Sequence, residues 1–229
     1  MNERSGGGAS LLDGAWAATG AFTVLLFACG LLFGDLLGTT NFPALNASPA
    51  ALHDYFGRNV SEVRALSFFH LLAGASLAAF AAHLYGQLRA SSIRLAALAL
   101  AGGILGGAFL ALSALVYRVL AEPSVASDPA LAHGLIVFSY LAGGPAIGVP
   151  LALTTGAFAA HARSDRTIPK WLLWLSVAAV VLGIVSAVTM LGPTTNSSAA
   201  YGLLLLGAVA LFAWLLGTSL VLVRQALRS

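Results

Sequence analysis

Between Leu131 and His161 the chain carries an apolar run too long and too broken to be an ordinary membrane helix, with Gly143-Gly144-Pro145 and Pro150 near its middle. A bilayer core is spanned by about 20 apolar residues, and proline removes a backbone donor and crowds the preceding turn. The segment must therefore bend, tilt or locally unwind. In hydrocarbon such a break is tolerated only where protein or a water-filled cavity satisfies the freed backbone groups. This chain is thus expected to be helical wherever it meets lipid, and the break is its first candidate for a binding site.

The remaining sequence agrees. Hydrophobic residues make up 59% of the 229 residues and charged residues only 8%, against about 25% charged residues in soluble domains. Apolar segments at about 15–37, 65–88, 95–119, 133–159, 171–191 and 200–223 are each long enough to cross a bilayer. They predict an all-α fold, a polytopic membrane bundle of six transmembrane helices, in one domain over residues 1–229. The loops are too short for a separate soluble domain. A net charge of +3 does not point to nucleic acid, because the basic residues sit at the ends of apolar runs and form no patch interleaved with aromatics. Cys29 is the single cysteine and cannot form an internal disulfide.

An even number of spans puts both termini on one side. Arg4, Arg89, Arg94, Arg163, Arg166, Lys170, Arg224 and Arg228 fall there, while Arg58, Arg64 and Arg118 fall opposite, eight against three. By the positive-inside rule both termini are expected in the cytoplasm. Leu26-Phe27-Ala28-Cys29 loosely resembles a lipoprotein cleavage box, but the apolar run continues to Leu37 and a retained first helix is the expected outcome. Asn46-Ala47-Ser48, Asn59-Val60-Ser61 and Asn196-Ser197-Ser198 match the glycosylation pattern and are read as polar loop residues.

In the longest loop, Ser48-Pro49 is a helix cap and first-turn pair, followed by Leu52, Tyr55, Phe56, Val60 and Val63 at helical spacing. His53, Asp54, Arg58 and Glu62 share the other face, with Asp54–Arg58 and Arg58–Glu62 spaced for ion pairs. A short amphipathic interfacial helix is expected over 49–63, packed on the outer mouth of the bundle. Farther along, Ala79-Phe80-Ala81-Ala82-His83 recurs as Ala157-Phe158-Ala159-Ala160-His161. The recurrence suggests that spans two and three repeat as spans four and five in parallel orientation.

Around the break, Ser139, Tyr140, Gly143, Gly144, Pro145, Pro150, Thr154 and Thr155 form the candidate ligand-binding set. Their hydroxyls and freed backbone groups offer hydrogen bonds without charge, which suits a small apolar or lipidic molecule better than an ion. The competing reading is a packed kink, in which Ser139 or a neighbouring helix takes the Leu141 carbonyl and spans three and four close across Gly103 and Gly144. Gly102, Gly103, Gly106 and Gly107 supply two interleaved small-xxx-small patterns for that packing. Trp171 and Trp174, just after Lys170, are expected interfacial anchors.

His70 and His133 at one end of spans two and four, with His83 and His161 at the other, could be the axial ligands of haem b. Geometry weakens this alternative: at 100° per residue, His70 and His83 point roughly 140° apart around one helix. No cofactor is therefore expected. No zincin pair, phosphate-binding glycine loop, nucleophile elbow or cysteine pair occurs, no metal site is expected, and no catalytic residue is assigned. The enzyme question leans towards no. Arg118 is expected to snorkel, with Asp35 or Glu122 as alternative partners.

The outer helix ending in an Asn-x-x-x-x-Arg stretch, Asn59 to Arg64, and the fifth span opening with Ile168-Pro169-Lys170-Trp171-Leu172 resemble a group of bacterial, especially actinobacterial, six-helix integral membrane proteins catalogued as a domain of unknown function. That resemblance implies a multi-pass topology in a bacterial plasma membrane and transfers no site residue. Three functional readings stay open. The leading one is binding or movement of a small apolar or lipidic molecule at the broken fourth helix. The others are a structural or accessory subunit, with a membrane protein partner or a second copy of the chain, and a bis-histidine haem protein or other membrane enzyme.

Overall fold

In a computed structural model the described residues are 6–38, 42–43, 47–165, 167–191 and 198–228. They are mostly helical, with no strand among them. Helix α1 (Gly6–Leu31) continues as a π-helical turn over Leu32–Leu36. It is followed by α2 (Pro49–Arg58), α3 (Val60–Leu88), α4 (Ile93–Leu120), α5 (Pro123–Ala126), α6 (Pro129–Gly143), α7 (Pro145–Ala162), α8 (Lys170–Val188) and α9 (Ser198–Ala226). Six helical segments are long and apolar enough to cross a membrane: Leu11–Gly34, Val60–Leu88, Ile93–Leu120, Pro129–Ala162, Lys170–Leu191 and Gly202–Ala226. A helical membrane bundle is therefore the fold, with α6 and α7 together forming the fourth span.

The spans pack as a ring in chain order: α1 on α3, α3 on α4, α4 on α7, α7 on α8, α8 on α9, and α9 back on α1. Lipid supplies no hydrophobic drive between helices, so close backbone approach and interhelical hydrogen bonds must hold such a ring. The four glycines of α4 divide that work. A Cβ on Gly102 would strike the Pro150 carbonyl and Thr154 of α7, and one on Gly106 would meet Leu151, also of α7. Cβ atoms on Gly103 and Gly107 would instead strike Ala81 and the Gly74 carbonyl of α3. Each i, i+4 pair thus serves a different neighbour. The centre of the ring is filled by Phe80, Leu84, Phe158, Leu172, Trp214 and Leu215, all buried.

Away from the termini, α2 closes the end of the bundle. The Ser48 hydroxyl caps it by accepting from the Ala51 N–H at 3.2 Å, and Pro49 occupies the first turn. Leu52, Tyr55 and Phe56 are buried against Val63, Leu120 and Ile136, so the apolar stripe faces the bundle's own mouth. The helix stops at Arg58, short of the expected Val63, because Asn59 leaves the helical conformation at φ −111° and ψ 37°. Asn59 is buried and donates from Nδ2 to the Tyr55 carbonyl at 2.9 Å, so it is a corner between two helices and not a polar loop residue. Asn46 and Asn196 lie outside the described residues.

Of the expected ion pairs on α2, Asp54–Arg58 forms at 2.6 Å. Glu62 instead accepts from the Ser61 hydroxyl at 2.9 Å. Arg118 pairs with Glu122, which Arg64 also approaches at 3.6 Å. Trp171 and Trp174 are exposed at the start of α8.

Candidate functional site at the broken fourth span

Proline at position 145 takes a donor away from the Leu141 carbonyl, and Pro150 does the same to Ala146. The chain answers by ending α6 at Gly143 and starting α7 at Pro145, with Gly144 between them at φ −114° and ψ −98°. Two backbone bonds bridge the join, from Gly144 N–H to the Tyr140 carbonyl at 2.9 Å and from Ile147 N–H to the Gly144 carbonyl at 3.2 Å.

The two halves of this span have different neighbours. Helix α7 lies between α4 and α8, whereas α6 packs on α4 and α2. Among the described residues, therefore, the fourth span parts from α8 at the break. Tyr140, Leu141, Gly143, Gly144, Ala146 and Ile147 are half-buried around the buried Ala142 and Pro145, and this half-buried stretch at the break is the candidate recess. Leu204 of α9 lies across it, 3.3 Å from where a Cβ on Gly144 would sit.

The candidate hydroxyls have other duties. The hydroxyls of Ser139 and of Ser113 in α4 lie 2.9 Å apart and 3.2 and 3.0 Å from each other's carbonyl, so their two protons are shared among these acceptors. Ser139 is thus committed to α4 and does not take the Leu141 carbonyl as expected. Thr154 donates to the Ala99 carbonyl of α4 at 3.1 Å, and Thr155 to the Leu151 carbonyl of its own helix at 2.9 Å. Ser139, Thr154 and Thr155 are fully buried. Helix α4 and the fourth span do close tightly, but through Gly102 with Pro150 and Thr154, and through Gly143 with Ser113. Gly103 turns to α3 and takes no part. Of the candidate set, Tyr140, Gly143 and Gly144 are half-buried at the break, while Ser139, Pro145, Pro150, Thr154 and Thr155 are buried in the packing of the fourth span.

Behind the recess, Ile147 joins the central cluster to a smaller one of Leu26, Ala73 and Leu110, flanked by Phe27 and Phe69. His70 is buried there. Its ring stacks on Phe27 at 4.4 Å and 5°, its Nε2 is 3.3 Å from the Phe27 carbonyl, and Phe27 in turn meets Phe212 at 4.8 Å. Glycine at position 30 permits this approach, since a Cβ would fall 2.5 Å from the imidazole. One turn beyond, α1 widens into its π-helical turn, where the Gly34 carbonyl accepts from the Tyr55 hydroxyl. The sequence carried no signal for that turn, which depends on a partner in α2.

The other histidines go separate ways. His133 is exposed at the start of α6. His161 Nδ1 lies 3.0 Å from the Ser91 hydroxyl and Nε2 lies 3.5 Å from Asp165, and His83 is half-buried on α3 within electrostatic reach of Asp13. No group of three or more His, Cys, Asp or Glu side chains is placed to hold a metal among the described residues. Asp165 is held below the usual carboxylate range, chiefly by hydrogen bonds from the Thr167 N–H and hydroxyl.

Fold and site together define a multi-pass helical membrane bundle with a broken fourth span. Compared with family models, curated proteins and solved structures, the chain has no match.

Proposed function

We propose that this protein binds or moves a small apolar or lipidic molecule at the break between α6 and α7. The observation that carries the reading is the break itself: Gly144 parts α6 from α7, and six residues from Tyr140 to Ile147 are half-buried there, on the side where the fourth span leaves α8. Its lining is apolar apart from Tyr140 and backbone groups, which matches a ligand that is mostly hydrocarbon with one hydrogen-bonding group. The surfaces that an accessory subunit would offer a partner are already used within the chain, the glycine face by α3 and α7 and the α2 stripe by the bundle mouth. The resemblance to bacterial six-helix proteins and the excess of basic residues on the terminal side support a place in a bacterial plasma membrane with both termini in the cytoplasm.

Photo-crosslinking tests the reading. The protein in lipid nanodiscs is irradiated with a diazirine-bearing fatty alcohol, and adducts are mapped by mass spectrometry. Adducts should concentrate on Tyr140–Ile147 and Leu204 and should fall when excess unreactive fatty alcohol competes. Labelling spread over the lipid-facing residues of α8, such as Trp174 and Val181, without competition, would sink the proposal. Reporter fusions at Ser127 and at the C-terminus should lie on opposite sides of the membrane, the latter in the cytoplasm.

A further inference from the structure

The half of the bundle that carries the termini contains three buried polar atoms with no hydrogen-bond partner among the described residues: Nε2 of His83, Oγ1 of Thr218 and Oγ of Ser219. Thr218 and Ser219 are 0% and 1% exposed. Other buried hydroxyls in the spans behave differently. Thr23, Thr155 and Ser176 donate to the carbonyl four residues back, and Ser67 and Ser76 reach carbonyls of neighbouring helices. Leaving a buried donor unpaired costs free energy, and native structures rarely do so without an ordered water or ligand.

Ser219 lies at a junction of α1, α3 and α9. A Cβ on Gly20 of α1 would fall 2.5 Å from the Ser219 hydroxyl and 2.9 Å from the Phe80 ring. His83 follows Phe80 by one turn of α3. Thr218 follows Trp214 by one turn of α9, and the Phe80 and Trp214 rings meet at 6.1 Å. Along their own helices, His83 and Thr218 thus lie within about one turn of a residue in the Gly20–Phe80–Ser219 contact. On α1, Asp13 lies nearer the terminal face and acts electrostatically on His83.

We propose that this junction is a water-binding site, in which bound water bridges the His83 imidazole and the Thr218 and Ser219 hydroxyls and is reached from the terminal face past Asp13. Two hydroxyls and an imidazole offer donors and acceptors in balance, as water requires. The water links His83 by hydrogen bonds to the level of Trp214. This site is independent of the recess at the fourth span and lies in the other half of the bundle.

Hydroxyl-radical footprinting in ¹⁸O-labelled water, on the intact protein in nanodiscs, tests the assignment. Phe80 and Phe158 are both sealed from solvent, at 0% and 1% exposure, and both abut Trp214. Of the two, Phe80 lies at the Gly20–Ser219 contact. Phe80 should take up the label several-fold faster than Phe158, and S219A or T218V should slow Phe80 while leaving Phe158 unchanged. Equal labelling of the two rings, or a Phe80 rate indifferent to both substitutions, would overturn the proposal. So would a T218V protein that unfolds at a higher temperature than the native chain, because that gain is expected when an unsatisfied hydroxyl leaves a dry site.

Discussion

Phe80 and Phe158 meet the same indole from α3 and α7, each edge-on at 75° to Trp214, with ring centroids at 6.1 and 5.8 Å. They are also the phenylalanines of the two Ala-Phe-Ala-Ala-His copies. The repeated pentapeptide therefore places matching rings on either side of one buried tryptophan. Trp214 Nε1 donates to the Ser176 hydroxyl at 2.9 Å, and that hydroxyl donates to the Leu172 carbonyl at 2.7 Å. Helices α3, α7, α8 and α9 are thereby tied to one side chain.

Truncating either ring should open a cavity that the ring of helices cannot collapse. F80A and F158A are each expected to cost about 3–5 kcal/mol. The double variant should be less than additive because both rings share Trp214. S176A keeps the packing but strands the indole N–H, at about 1–3 kcal/mol. Denaturant titration in detergent, followed by tryptophan fluorescence, should rank S176A above both phenylalanine variants in stability.

Gly74 and Gly107 bring the backbones of α3 and α4 together, each placed so that a Cβ would run into the other's backbone carbonyl. Backbone cannot yield as a side-chain tip can, so G107A should push the helices apart and lower the thermal midpoint. Gly134 on α6 has nothing within 4 Å of an added Cβ. G134A should leave the midpoint unchanged or raise it, since alanine is favoured over glycine in a helix by about 1 kcal/mol. A G134A loss as large as that of G107A would contradict this division.

Much of this architecture was legible in the sequence, for physical reasons that differ by element. The spans were legible because each must bury its backbone in helix over a fixed thickness, which hydropathy records directly. Helix α2 was legible from Ser48-Pro49 and its stripe, but its end was not, since Val60 and Val63 continued the spacing while Asn59 turned the chain. The α4 glycines announced close packing. Which neighbour each pair serves could not be read, because successive residues point 100° apart and the partner depends on the ring order. Ser139, Thr154 and Thr155 looked like ligand groups because a hydroxyl's partner is invisible in one dimension. For the same reason the unpaired Thr218 and Ser219 attracted no notice.

The α2 cap should keep one face from water. Spin labels at Leu52 and Phe56, both buried, should be far less accessible to a polar relaxation agent than labels at His53 or Arg58, both exposed. S48A removes the cap acceptor and should cost about 1 kcal/mol of local helix stability, seen as faster amide exchange in the first turn of α2. Equal accessibility on both faces would show that α2 is not seated on the bundle.

Glu122 joins α3 to the end of α4 through charge. A hydrogen bond and the positive charge of Arg118, with a smaller contribution from Arg64, hold its carboxyl below the usual carboxylate range. A depressed acid contributes its stabilisation fully above its unfolded value, near 4.5, and loses it as pH falls through the lower folded value. A label at Ser124 should therefore become more mobile as pH drops below about 4.5 in the native chain. In E122Q it should be mobile at every pH. The pairs are solvent-exposed, so high salt should mimic the substitution.

Pro150 separates the two accounts of the fourth span. P150A restores an N–H that can donate to the Ala146 carbonyl, and it leaves the Pro150 carbonyl position facing Gly102 in place. Helix α7 should then run straighter towards Gly144, with an unfolding midpoint equal to or above that of the native chain, because a missing backbone bond has been made good. If the recess serves a ligand, photo-adducts at Tyr140–Ile147 should fall while stability holds, since the substitution narrows the opening without damaging the core. If the prolines serve only to shape packing against α4, stability should drop and the adduct pattern should stay as it was. Measuring the two together on the same nanodisc preparation therefore assigns the break to binding or to packing.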